Sequence, residues 1–191
     1  MCYRAIVFDF FGVICSEVAP FWLARHFSES EAKRVKADIV HAADLGEISQ
    51  GDMLAQLGAM TNIPPQQIRQ EWDEYVRIDV NVVNVVRSLK AQFRLGLLTN
   101  SASEFVRSIL QRHQLETAFD AIVVSSEVRS AKPDNRIYEL MLAALAVPAS
   151  TALMIDDNPD NVAGAISVGM QGIVFTSIEQ LETAMSKALA R

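Results

Sequence analysis

The sequence is short of cysteine and histidine: 191 residues hold two Cys (Cys2, Cys15) and three His (His26, His41, His113). Their number and spacing make neither a zinc site nor a disulfide framework. Cys15 lies in an apolar stretch and is expected as a buried thiol. The three histidines are scattered and are expected at the surface rather than in a ligand cluster. Long apolar runs are missing too. Nothing approaches the 18 or more residues of a membrane span, so no membrane partner is expected. The opening MCYRAIVFDF has one basic residue and an apolar run too short for a secretory signal. Positive charge is also scarce: 17 Lys and Arg against 23 Asp and Glu give a net charge of −6 and a pI of about 5.1. That composition lacks the basic stripe of a nucleic-acid binder. The expectation is a protein of a reducing cytoplasm, monomer or homodimer, without repeats or low-complexity tracts.

What is present is alternation. Residues 4–9 (RAIVFD) form a short apolar run ending in an acid, which suits a strand buried on both faces of a parallel sheet. Residues 94–99, 121–125, 151–156 and 172–175 read alike. Helical periodicity fills the gaps at 82–92, 103–112, 136–146, 160–168 and 177–189. Strands alternating with helices predict an α/β fold with right-handed crossovers. The Lys and Arg residues of 87–94 read as a solvated face.

Residues 16–80 interrupt this pattern and read as helical. Ser28 with Glu31 is a capping-box pattern for a helix near 29–43, and Ser49 with Asp52 opens another near 50–60. Pro64 and Pro65 suit the first turn of a third, whose apolar face is Ile68, Trp72, Tyr75 and Val76. Trp22 and Trp72 are expected as packing residues. The division predicted is a core of 1–15 and 81–191 with a helical insertion at 16–80. The insertion follows the carboxyl end of the first strand, where open α/β sheets bind ligands, so it is expected to cover a site.

The strand ends carry the chemistry. The first ends in Asp9, the second in Thr99–Asn100 and the fourth in Asp156–Asp157, while Lys132 precedes a helix after the third. In a doubly wound sheet these positions face one crevice. Three convergent carboxylates repel unless a cation sits among them, and hard oxygen donors suit Mg²⁺. Asp9 is then a candidate nucleophile toward a phosphoryl group, with Lys132 offsetting charge and Thr99 with nearby backbone N–H groups holding oxygens. Singly, each residue has an ordinary reading as a turn, a cap or a solvated side chain.

The ordered set resembles the haloacid dehalogenase superfamily. IVFDFFGVI (6–14), LLTNS (97–101), Lys132 within SAKPDNRIYE (130–139) and MIDDNPDNVAGA (154–165) resemble its four motifs in order. DLGEIS (44–49) resembles a cap segment of its bacterial sugar-phosphate phosphatases. The resemblance implies a Rossmann-like three-layer α/β/α core with strand order 3-2-1-4-5 and a small helical cap of the C1 type. It implies Mg²⁺ held by Asp9, the backbone carbonyl of Phe11, Asp156 and Asp157. It implies catalysis through an aspartyl-phosphate at Asp9, with Lys132, Thr99 and Asn100 binding the phosphate of a small phosphorylated metabolite. The family's phosphatases carry a second Asp two residues after the nucleophile; here that position is Phe11. General acid–base help of the kind this Asp gives is worth about 10²–10⁴-fold. Three readings stay open: a slow phosphatase with a proton from elsewhere, Glu47 being a candidate; a dehalogenase-like hydrolase, whose halide leaving group needs no proton; or a non-catalytic phosphate-binding or interaction protein.

Overall fold

The computed structural model describes residues 3–189; Cys2 lies outside them. Five parallel strands form one sheet: β1 (Ala5–Phe8), β2 (Arg94–Thr99), β3 (Ala121–Val124), β4 (Ala152–Asp156) and β5 (Gln171–Val174), in the order β3-β2-β1-β4-β5. This is the Rossmann-like order expected. β1 is central, pairing Ala5 with Arg94 on one side and with Ala152 on the other. All four of its residues are buried, as a strand covered on both faces requires.

Between the first two strands come only helices: α1 (Ala19–His26), α2 (Glu29–Val35), α3 (His41–Asp44), α4 (Gln50–Thr61), α5 (Pro65–Tyr75) and α6 (Val80–Leu89). The later strands are joined by α7 (Ser103–Arg112), α8 (Ser125–Val128), α9 (Asn135–Leu145) and α10 (Pro159–Ser167), and α11 (Ile178–Leu189) closes the described chain. Alternate residues of β1 face opposite layers. Ile6 and Phe8 join a core with α6, α7 and α11. Ala5 and Val7 join a second core with α9 and α10. Period-two alternation therefore makes the three layers.

The helices of 19–75 add two details to the expectation. The helix of Trp22, α1, had no bounds in the sequence reading, and its N-cap, Val18, makes no side-chain cap. It is held by burial instead: Trp22 and Leu23 are buried, and the Trp22 Nε1–H donates to Glu71 at 2.7 Å. The helix expected over 29–43 is broken by a π-helical turn at Lys36–Val40. Val35 and Val40, five residues apart, both stay buried across this wider turn, while Lys36 remains exposed. Both expected capping boxes are formed, at Ser28–Glu31 and Ser49–Asp52.

These helices rest on the sheet domain at its β2–β3 side. Ser125 Oγ donates to the Asp44 carbonyl. Arg69 donates to Ser108 Oγ at 3.0 Å, and its guanidinium lies 4.7 Å from the centre of the Phe105 ring. Arg112 pairs with Asp73 at 2.8 Å. No helix among the described residues is long and apolar enough to cross a membrane.

Candidate active site

The strand ends meet below a cavity of about 770 Å³. Its floor includes Asp9, Thr99, Asn100, Lys132 and Asp157; Glu17, Lys36, Asp44, Met53 and Trp72 contribute from the chain between β1 and α6. Asp9 follows β1 directly, and the Phe10 N–H donates to its Oδ1 at 2.6 Å. Lys132 is buried and its Nζ lies 2.7 Å from Asp9 Oδ1 and 2.7 Å from Asp156 Oδ2. The approach of Lys132 to Asp9, on which the sequence argument leans most, is therefore present.

Two side chains fix this lysine. Asn100 accepts the Lys132 N–H at 2.8 Å and donates to its carbonyl at 2.9 Å. Asp156 is fully buried and accepts from the Asn158 N–H at 2.9 Å and from Asn161 Nδ2 at 3.0 and 3.2 Å. Asp157 is half-buried and faces the cavity beside Gly12. Gly12 has φ +82°, and a Cβ there would lie 2.3 Å from Asp157 Oδ2. Glycine is needed both for that backbone and for that approach.

Asp9, Asp156 and Asp157 each offer an oxygen within 4.8 Å of the other two. Oxygens of three carboxylates so grouped fit a small hard cation such as Mg²⁺. In the loop after Asp9, Gly12 N–H donates to the Cys15 carbonyl, and Ile14 and Cys15 N–H donate to that of Phe10. None of these bonds uses the Phe11 carbonyl.

Electrostatics match the geometry. Burial pushes the Asp9 carboxyl well up; Lys132 opposes this and the Asp156 charge adds to it. Burial alone would pull the Lys132 ammonium down, but Asp9 and Asp156 together hold it above its ordinary value. Asp157 is pushed up by burial and by Asp156. One cation thus faces two contacting carboxylates and a third nearby.

Thr99 is fully buried, and its Oγ1 has no hydrogen-bond partner. Phe11 is half-buried in the cavity wall, its ring stacked on Phe105 at 5.9 Å. Glu47 is exposed and outside the cavity lining. Glu17 and Asp44, which the sequence reading passed over, are in that lining instead. Burial pushes Glu17 up, with Lys36 opposing and Asp157 adding. Burial pushes Asp44 up to about 7, against Lys36 and the Ala102 N–H that it accepts, with Glu17 adding. No sequence signal marked Glu17; Asp44 opens the DLGEIS segment, but nothing in the sequence pointed it at the cavity.

Of the remaining residues, Cys15 is a buried free thiol pushed up to about 11 by burial. His41 and His113 are exposed, while His26 is half-buried, its ring tilted 33° to that of Trp22 with centres 4.4 Å apart. Trp22 and Trp72 are both buried, as expected of packing residues.

Residues 3–169 match the family model described as haloacid dehalogenase-like hydrolase. Among curated proteins, the chain is 26% identical to the sesquiterpene phosphatase astK of Aspergillus oryzae, over 97% of this chain and 96% of that protein. It is 32% identical to the pyrophosphatase PpaX of Bacillus cereus, but over only 51% of this chain and 45% of that protein. Among solved structures, a HAD family enzyme of Bacteroides thetaiotaomicron in complex with magnesium and inorganic phosphate superposes with a TM-score of 0.79 at 18% identity, covering 91% of this chain and 94% of that one. A 2-haloacid dehalogenase of Pseudomonas syringae superposes with a TM-score of 0.63 at 18% identity, over 97% and 99%. At such identities these structures attest the fold.

Proposed function

Because the chain belongs to the haloacid dehalogenase-like hydrolase family, we propose that it is a Mg²⁺-dependent hydrolase of small phosphomonoesters, with Asp9 as nucleophile. The observation that carries this reading is Lys132, buried between Asp9 and Asp156 at 2.7 Å from each, with Asp157 completing a three-carboxylate group. A site for a halide leaving group has no need of that extra negative charge. A retired site has no reason to keep a buried lysine against an intact nucleophile, since an isolated buried charge is costly. The phosphatase name of a relative that aligns along its whole length supports the same reading.

Asp157, which faces the cavity, would hold the metal with Asp9 and the Phe11 carbonyl. Asp156, whose oxygens already accept from Lys132, Asn158 and Asn161, would orient Lys132 and complete the charge. The bound Mg²⁺ would supply charge neutralisation at the phosphoryl oxygens. Asp9 Oδ attacks phosphorus and the bond to the ester oxygen breaks, leaving phosphate on Asp9. Thr99 Oγ1, buried without a partner, and the Asn100 backbone would hold the phosphoryl oxygens, because the Asn100 side chain is committed to the Lys132 loop. Lys132 holds Asp9 in position and offsets the anionic charge. Water then attacks the aspartyl-phosphate and passes a proton to the group that protonated the leaving oxygen, which restores Asp9 and releases inorganic phosphate.

The leaving oxygen needs a proton that Phe11 cannot give. Glu17 is the donor we assign: it lines the cavity, its carboxyl is pushed up by burial, and it lies in the field of Asp157 and Lys132. The insertion 16–80 acts in this scheme as the cap that encloses the ester. The test is phosphate release from an aryl phosphate with Mg²⁺ or with EDTA, in wild type and Asp9→Asn. Release that needs Mg²⁺ and vanishes in Asp9→Asn is expected; release that persists in Asp9→Asn would sink the nucleophile assignment.

A further inference from the structure

The part of the cavity away from Asp9 has a composition of its own. Phe11, at the nucleophile loop, stacks on Phe105, and Trp72 meets the Phe105 ring edge-on at 5.4 Å. This aromatic run leads from the floor to the roof, where Val18, Val40 and Met53 continue it. All but Phe11 are buried by their packing. The Trp72 Nε1 is buried and has no hydrogen-bond partner.

At the far end, the N-terminus of α7 would ordinarily receive a second anion, since the first amides of a helix are unpaired and its dipole favours negative charge. Here Ser103 N–H donates to Ser126 Oγ at 2.8 Å and Phe105 N–H to the Ala102 carbonyl at 3.1 Å, while the preceding Ser101 N–H donates to Ser125 Oγ at 2.9 Å. The lining cations have acidic neighbours as well. Lys33 pairs with Glu29 at 2.6 Å, and Lys36 lies in the field of Glu17 and Asp44. A second phosphate would meet these carboxyls as well as the ammonium groups there.

We infer that the substrate is the monophosphate of an apolar alcohol, its hydrocarbon lying along Phe11, Phe105 and Trp72. This rests on the phosphomonoesterase reading and names its substrate class. A sugar would leave hydroxyls unpaired against the aromatic wall, which costs affinity. A bisphosphate or diphosphate would place its second charge beside the Glu17 and Asp44 carboxyls. The sugar phosphates implied by the DLGEIS resemblance are therefore not the substrates this cavity selects.

The experiment uses wild-type protein with Mg²⁺. Calorimetry measures binding of n-alkylphosphonates from butyl to octyl, which cannot be hydrolysed, beside glucose 6-phosphate and fructose 1,6-bisphosphate. Affinity is expected to rise by up to about fourfold per methylene, the fold-change that corresponds to ~0.8 kcal/mol for each CH₂ buried. Octylphosphonate is expected to bind at least tenfold more tightly than either sugar. Affinity independent of chain length, or a sugar phosphate that binds more tightly than octylphosphonate, overturns the inference. Hydrolysis of p-nitrophenyl phosphate by the same preparation separates the two claims. Hydrolysis with a flat chain-length series removes the substrate class and keeps the phosphatase. A rising series without hydrolysis keeps the apolar site and removes the phosphatase.

Discussion

Lys132 has two carboxylates at 2.7 Å, and one positive charge does not balance two negative ones. This local deficit is the physical reason to expect a cation, and it was legible because Asp9, Thr99, Asp156 and Asp157 all stand at strand ends. Glu17 was not legible, because the connecting segment before α1 carries no periodicity that places it; Asp44 was seen only as the start of DLGEIS, which says nothing of where its side chain docks. If Glu17 protonates the leaving oxygen, Glu17→Gln should lower kcat on an alkyl phosphate by about 10²–10⁴-fold. The loss should be less than about tenfold on p-nitrophenyl phosphate, whose leaving group needs little protonation. Equal losses on both esters would make Glu17 a structural residue. Asp44 gives a stability prediction. Its carboxyl lies near 7 in the folded protein against 3.8 for the free group, so the folded state holds the proton longer. Stability from that proton is fully present below pH 3.8 and is lost as pH rises toward 7. Asp44→Asn should therefore gain on wild type across that window and hold the gain above it. The gain should be of order 1–2 kcal/mol, below the unscreened conversion because the cavity admits solvent. Urea midpoints at pH 4.5 and 8 read it directly.

Elements were legible where local signals agreed with tertiary need. α7 and α10 combine helical periodicity with an apolar face, and α2 and α4 carry capping boxes at Ser28 and Ser49. α1 has no side-chain cap, only Pro20 in its first turn, and is held by Trp22, buried and bonded to Glu71 of α5. The π-helical turn at Lys36–Val40 was equally silent, since it answers to the spacing of two buried valines. The capping box of α4 can be tested alone. Ser49→Ala removes the partner of the Asp52 N–H, held at 3.0 Å, and should cost about 0.5–2 kcal/mol. Because α4 carries Met53 to the cavity, the same variant should loosen octylphosphonate binding more than it weakens inorganic phosphate binding. Gly12→Ala is the contrasting case at the floor. Its Cβ would collide with the Asp157 carboxylate, and Mg²⁺ affinity measured by calorimetry should fall at least tenfold.

At the scale of the molecule, the carboxylate cluster couples metal to stability. A ligand that binds only the folded state stabilises it by about 2.7 kcal/mol at a hundredfold excess over Kd. For a chain of this size that is an upward Tm shift of roughly 5–10 °C on adding Mg²⁺, reversed by EDTA. Asp157→Asn should shrink the shift; a full shift in that variant would remove Asp157 from the metal's ligands. The five-strand order itself has a consequence for how the protein is born. β1 leaves the ribosome first but finds its neighbours only at Arg94 and Ala152. At about 5–20 residues per second, the segment AIVF waits on the order of ten seconds or more for its second partner. The strand has two open edges until β2 emerges and one until β4 does, and the helices of 19–75 are made before the sheet that they will cover. Nascent chains halted before residue 152 should therefore be protease-sensitive and chaperone-bound. Release of that sensitivity should come as one step once β4 has emerged, rather than in proportion to length.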